Sequence, residues 1–151
     1  MRHRQPAIEA FFEDYARRSN DALQNPPRED IDGIVASFAA YFVGSNPRGV
    51  FGGANGPELR EVIPQGFARY REVGGKAMRI TNLSVTELDD VNVMATVDWA
   101  FDYVRPGDGK TGTITFTNRY FLSLAGGAPK IFAYITPDEE QAMQDHGLVP
   151  A

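Results

Sequence analysis

Two stretches decide the fold: residues 91–104, VNVMATVDWAFDYV, and residues 111–124, TGTITFTNRYFLSL. In the first, Val93, Ala95, Val97, Trp99, Phe101 and Tyr103 alternate with Met94, Thr96, Asp98, Ala100 and Asp102, the period that puts successive side chains on opposite faces of a strand. In the second, Ile114, Phe116, Asn118, Tyr120 and Leu122 share one face, and Thr113, Thr115, Thr117, Arg119 and Phe121 share the other. Pro106-Gly107-Asp108-Gly109 between them is a turn signal, so the two stretches predict an antiparallel hairpin. Burying both apolar faces together pairs Phe101 with Phe116 and Trp99 with Asn118. The same register sets Asp98 opposite Arg119 on the other face, as a cross-strand ion pair.

Working outward, period-two patterns predict further strands over about 78–88 and 131–136, with Asp89-Asp90 as a turn. Upstream the period changes. Pro6, then Ile8, Phe11, Phe12 and Tyr15 at helical spacing, predict an amphipathic helix running to about Leu23, stopped before Pro26-Pro27. A second, short helix carries Ile31, Ile34, Val35 and Phe38, with Glu29, Asp30 and Asp32 suited to its positive end. Tyr41-Phe42-Val43 and Val50-Phe51 read as short extended runs around a loop. Pro57, Leu59, Val62, Ile63, Phe67 and Tyr70 mark a third helix, in which Pro64 predicts a kink or break; Gly74-Gly75 ends it. The tail from Asp138 reads as a short helical or irregular segment. Helices followed by a long antiparallel meander are an α+β pattern. It predicts N-terminal helices packed on a curved antiparallel sheet around an apolar pocket, all in one domain spanning 1–151.

Composition narrows the function classes. The 151 residues carry a net charge of −5, and the one dense basic cluster, Arg2-His3-Arg4, lies at the terminus, so nucleic acid is not an expected partner. No apolar run approaches the roughly 18 residues of a membrane span, and no secretory leader is visible. Cysteine is absent, which excludes disulfides and thiolate chemistry and fits a cytoplasmic setting. The only histidines, His3 and His146, fall near the ends, away from the expected concave face; no metal site or cofactor is predicted. Phosphate-loop and nucleophile-elbow motifs are missing.

The order of elements resembles the nuclear transport factor 2-like superfamily, the cystatin-like cone that includes SnoaL-like cyclases and ketosteroid isomerases. Three stretches carry the resemblance: Phe11-Phe12-Glu13-Asp14-Tyr15, the segment from Tyr41 to Gly53, and Asn118-Arg119-Tyr120-Phe121 with Lys130-Ile131-Phe132-Ala133-Tyr134. The resemblance implies that Tyr15 occupies the place of the first-helix tyrosine that ketosteroid isomerases use as an oxyanion donor. It puts Tyr41 or Phe42 where those enzymes have a carboxylate base, and Asn118 near their later acidic donor. An Asp–Arg–Asp set serves limonene epoxide hydrolase on this fold, but period two places Asp98, Asp102 and Arg119 on the face away from Trp99, where an ion pair is the better account.

The expected site is therefore a hydrophobic pocket lined by Tyr15, Tyr41, Phe67, Trp99, Asn118 and Tyr120. A buried amide such as Asn118 requires a hydrogen-bond partner in a neighbour, water or ligand. Three functions fit: binding of a small hydrophobic or aromatic molecule; a SnoaL-like isomerase, cyclase or dehydratase in which Tyr15 and Tyr41 polarise a carbonyl and Asn118 orients it; or a filled dimerisation module. Leu83, Val85, Met94, Ala100, Thr115, Thr117 and Phe121, read as the outer sheet face, predict a homodimer through that face, as the resemblance also implies.

Overall fold

The computed structural model describes residues 4–150; the expected terminal cluster at Arg2 and His3 lies outside them. The elements run α1 (Arg4–Asp21), α2 (Ile31–Val35), β1 (Phe38–Asn46), β2 (Gly49–Ala54), α3 (Pro57–Glu72), β3 (Gly75–Glu87), β4 (Asn92–Val104), β5 (Thr111–Ser123), β6 (Lys130–Ile135) and α4 (Glu139–Asp145). The six strands form one sheet in the order β2-β1-β6-β5-β4-β3. Helices on one face of a curved sheet make it the expected α+β cone. It differs from the expectation in one pairing: β1 runs parallel to β6, so the sheet is mixed. The parallel neighbour is reached by a long crossover through α3 and the meander, as parallel pairing requires.

The alternating face of β4 is the buried one. Val93, Ala95 and Val97 are fully buried, as are Ile8 and Phe12 of α1 and Leu122 and Ile131 of β5 and β6. The i, i+4 spacing of Ile8 and Phe12 puts both on the helix face that meets the sheet. A second cluster gathers Leu23, Val73, Phe101, Tyr103, Ile114 and Met143, which pins α4 to the far end of the strands.

The β4–β5 register is two residues from the expected one. Trp99 faces Phe116, Phe101 faces Ile114 and Val97 faces Asn118. The loop fixes it: Arg105 N–H reaches the Lys110 carbonyl at 2.7 Å, and the Asp108 carboxylate is gripped by the Arg105 guanidinium and accepts from Lys110 N at 3.1 Å. A slip of two preserves every side chain's face, so the inner set is as expected. The Asp98–Arg119 pair, by contrast, does not form. Asp98 faces Thr117, whose Oγ1 donates to it at 2.6 Å, and Arg119 faces Thr96. Asp102 pairs instead with Arg79 of β3 at 2.9 Å.

Three further expectations are corrected. Leu83 and Val85 lie on the inner face, opposite Val97 and Ala95, because the register shifts between Ile80 and Asn82 and reverses the alternation. Phe38 opens β1 rather than closing α2, since α2 is capped by Asp30 and stops at Val35. Pro64 does not end α3, which continues from Pro57 to Glu72. Gly74 then turns the chain into β3 with φ +103°; a Cβ there would lie 2.1 Å from the Val104 carbonyl oxygen, so only glycine fits. Among the described residues no helix is long and apolar enough to cross a membrane.

Candidate functional site

Inward residues of the sheet, α1, α3 and α4 enclose a cavity of about 430 Å³. The chain has ten phenylalanines, six tyrosines and one tryptophan, and eleven of these line the cavity. It is an aromatic chamber rather than an aliphatic one.

At its inner end α1 delivers Tyr15, one turn beyond the buried Phe12. The Tyr15 ring lies 6.2 Å from Trp99 and 6.0 Å from Tyr120. Asn118 joins this group, two residues before Tyr120 on the same face of β5. The Tyr120 hydroxyl oxygen accepts from Trp99 Nε1 at 3.1 Å and from Asn118 Nδ2 at 3.0 Å. Asn118 thereby commits one of its two N–H groups, and its Oδ1 is buried without a partner. Such an atom carries a desolvation cost that a donor would relieve. Burial pushes the Tyr120 hydroxyl up to about 12, even though the Asn118 and Trp99 donors oppose the shift. Burial also raises Tyr15 well above the ordinary tyrosine value, helped by its proximity to Tyr120 and Tyr134. Both shifts favour the protonated phenol, a form that can donate a hydrogen bond and cannot serve as a base.

Tyr134 of β6 lies across β1. Its ring stacks at 27° to Phe42 and occupies the space a side chain on Gly44 would fill, with a Cβ there falling 2.6 Å from the ring. On the other side α3 contributes Phe67 and Tyr70, the latter edge-on to Phe101 at 5.7 Å.

The mouth is framed by α4. Asp138 caps it, accepting from Gln141 N at 3.0 Å, and Met143 anchors it in the second core cluster. Three consecutive acids at its start meet three different partners. Asp138 pairs with Arg48 at 3.2 Å and Glu140 with Arg69 at 2.6 Å. Glu139, between them, takes a hydrogen bond from the neutral Tyr70 hydroxyl. It is the only charged side chain among the described residues that line the cavity. Desolvation raises its carboxyl above the usual glutamate value, against the lowering effects of Tyr70 and Arg69; burial first, and then Glu139 itself, raises Tyr70.

Of the six residues expected to form the site, the fold brings together Tyr15, Phe67, Trp99, Asn118 and Tyr120. Tyr41 is not with them: it is 75% exposed on the opposite face of β1, and its neighbour Phe42 takes the inward position. Sequence reasoning missed Glu139. The available signal was Asp138 as a helix cap followed by two acids, a start that orients α4, although nothing local points it back at the sheet. His146 meets the Tyr103 hydroxyl at 3.0 Å and is not among the lining residues. No cluster of metal-ligand side chains occurs among the described residues.

Solved structures share the architecture. An NTF2-like protein with a cystatin-like fold from Novosphingobium aromaticivorans superposes with a TM-score of 0.66 over 97% of this chain and 89% of its own, at 11% identity. Aln2 from a Streptomyces species gives 0.62 over 93% and 96%, at 18% identity. A ketosteroid isomerase-like protein from Erwinia carotovora atroseptica gives 0.58 over 88% and 91%, also at 18% identity. At these identities the likeness is one of fold. No curated protein matches the sequence significantly. Residues 4–138 match the family described as NTF2-like protein (DUF6841), and the chain belongs to that family.

Proposed function

We propose that this NTF2-like domain binds a small aromatic or otherwise apolar molecule whose polar group docks at Asn118 and Tyr120. The observation that carries the reading is the unpartnered, buried Asn118 Oδ1 beside a chamber walled by aromatic rings. A volume of about 430 Å³ falls in the range of roughly 300–1,000 Å³ typical of ligand sites, and a merely filled interior would leave no such space. Titration of a panel of aromatic alcohols, ketones and amines, followed by Trp99 fluorescence, tests it. A saturable change that is lost in Asn118→Leu is the expected result; no response across the panel refutes the reading.

One observation favours a second reading, an isomerase, cyclase or dehydratase. Glu139 is a carboxylate of raised affinity for protons at the same cavity as the phenols of Tyr15 and Tyr120, which are the groups a proton transfer next to a carbonyl uses. Deuterium incorporation from solvent into a bound aryl ketone, abolished in Glu139→Gln, is its test. Exchange at the uncatalysed rate would remove it.

A homodimer through the outer sheet face belongs to the same proposal, with its apolar centre relocated. Leu83 and Val85 point inward, whereas Tyr41, Val43, Val50 and Ile135 are exposed at 75%, 42%, 72% and 44% on β1, β2 and β6. A large exposed apolar patch of this kind is uncommon in a lone subunit.

A further inference from the structure

We infer that the preferred ligand is an organic cation, an amine or ammonium group on an aromatic or alicyclic skeleton. This rests on the binding reading above and names its ligand class. Three features of the cavity agree in sign. First, its only charged lining residue is acidic: Glu139 is present, and no lysine, arginine or histidine lines it among the described residues. Second, the charges around the mouth leave Glu139 without a direct cationic partner. Arg48 faces Asp138 and Arg69 faces Glu140 in direct pairs, while the Glu139 partner is the uncharged Tyr70. Two cations against three acids leave the mouth net negative. Third, the rings of Tyr15, Phe42, Tyr70, Trp99, Phe116 and Tyr134 line the walls, and ring faces attract cations through their quadrupole.

Unsatisfied hydrogen-bonding capacity points the same way. Asn118 Oδ1 is a buried acceptor without a donor, and Glu139, which accepts from Tyr70 through one oxygen, has a second to offer. An ammonium group supplies donors and no acceptors. A carboxylate or phosphate ligand would place like charge beside Glu139 and offer Asn118 nothing to accept. The desolvation that raises the Glu139 carboxyl is also what a bound cation would offset, so occupancy and ionisation of Glu139 favour one another.

The test uses three probes sharing one ring system: 2-naphthylmethylamine, 2-naphthylmethanol and 2-naphthoate, titrated calorimetrically into the full chain. The amine is expected to bind about tenfold tighter than the alcohol, the advantage of a partly desolvated charge over rings and carboxylate, and the naphthoate weakest. In Glu139→Gln, which keeps an oxygen for Tyr70, the amine-to-alcohol ratio should fall toward one. Raising the pH from the ordinary glutamate range should strengthen amine binding as Glu139 ionises while the amine stays charged. An alcohol or naphthoate that equals the amine refutes the cation assignment and leaves the binding reading intact. An amine preference that survives in Glu139→Gln refutes the role of Glu139. Failure of all three to bind removes the binding reading and this inference together.

Discussion

Replacing Tyr120 with phenylalanine removes one oxygen atom and should cost far more than that atom's size suggests. The Tyr120 hydroxyl is the acceptor for two donors, Trp99 Nε1 at 3.1 Å and Asn118 Nδ2 at 3.0 Å. Trp99 is 2% exposed, so its indole N–H has no water to turn to. A buried donor left unsatisfied costs about 1–3 kcal/mol. Two such donors give about 2–6 kcal/mol, and the lower half of the range applies if the Asn118 amide finds water in the cavity. Tyr15→Phe is the control, because among the described residues the Tyr15 hydroxyl makes no hydrogen bond; its loss should cost under about 0.5 kcal/mol on the usual scale for changes that break no such feature. Urea denaturation followed by Trp99 fluorescence reads both. With a slope of about 2 kcal/mol/M, Tyr120→Phe should lower the midpoint by about 1–3 M with the slope unchanged. Equal midpoints for the two variants would refute the claim that the Trp99–Tyr120–Asn118 network, rather than ring packing alone, holds the inner end of the cavity.

Gly44→Val should drive the Tyr134 ring into the cavity, since even a Cβ there lies 2.6 Å from it; the expected result is about 1–3 kcal/mol of destabilisation with loss of probe binding by calorimetry, and unchanged binding would show that Tyr134 does not bound the site. Val43→Glu, in the centre of the exposed patch on β1, should yield monomers by light scattering, and a dimer of unchanged mass would remove the outer-face interface. For Glu139 the sign of linkage is opposite to that of a salt-bridged carboxylate. Its folded-state value is raised, so the folded form binds the proton more tightly than the unfolded one, and its contribution falls as pH rises from the ordinary glutamate range through the folded value. Glu139→Gln should therefore gain stability relative to the wild type as the pH rises above the ordinary glutamate range, measured as the difference between the two urea midpoints; a difference independent of pH would refute the burial of that carboxylate.

What the sequence made legible follows from how each signal is encoded. The inner face of β4 is written six times over, from Val93 to Tyr103, so it withstands a register slip of two residues: an even slip leaves every side chain on its face. The slip has a local cause, the loop closed by Arg105, Asp108 and Lys110, whose hydrogen bonds outweigh the Trp99–Asn118 match that apolar pairing alone would accept. Single-residue parity is fragile. Ala39-Ala40-Tyr41-Phe42-Val43 is apolar throughout, with no alternation to say which residues face inward, so Tyr41 and Phe42 are indistinguishable until the strand is paired. In β3 one irregularity near Thr81 reverses the faces of Leu83 and Val85, and nothing in the spacing of 78–88 announces it.

Glu139 was beyond reach for a different reason. A carboxylate becomes a site residue through what surrounds it, and its hydrogen-bond donor comes from α3, 69 residues away in sequence. Its approach depends on Met143 filling a gap between Phe101, Tyr103 and Ile114, which turns a polar tail into the rim of the cavity. The acids flanking it are neutralised by Arg48 and Arg69, so composition records three negative charges where the folded mouth presents one. The charge that gives the chamber its sign is thus a product of tertiary pairing, and a reading of residues in order could supply the aromatic walls but not the sign of the field inside them.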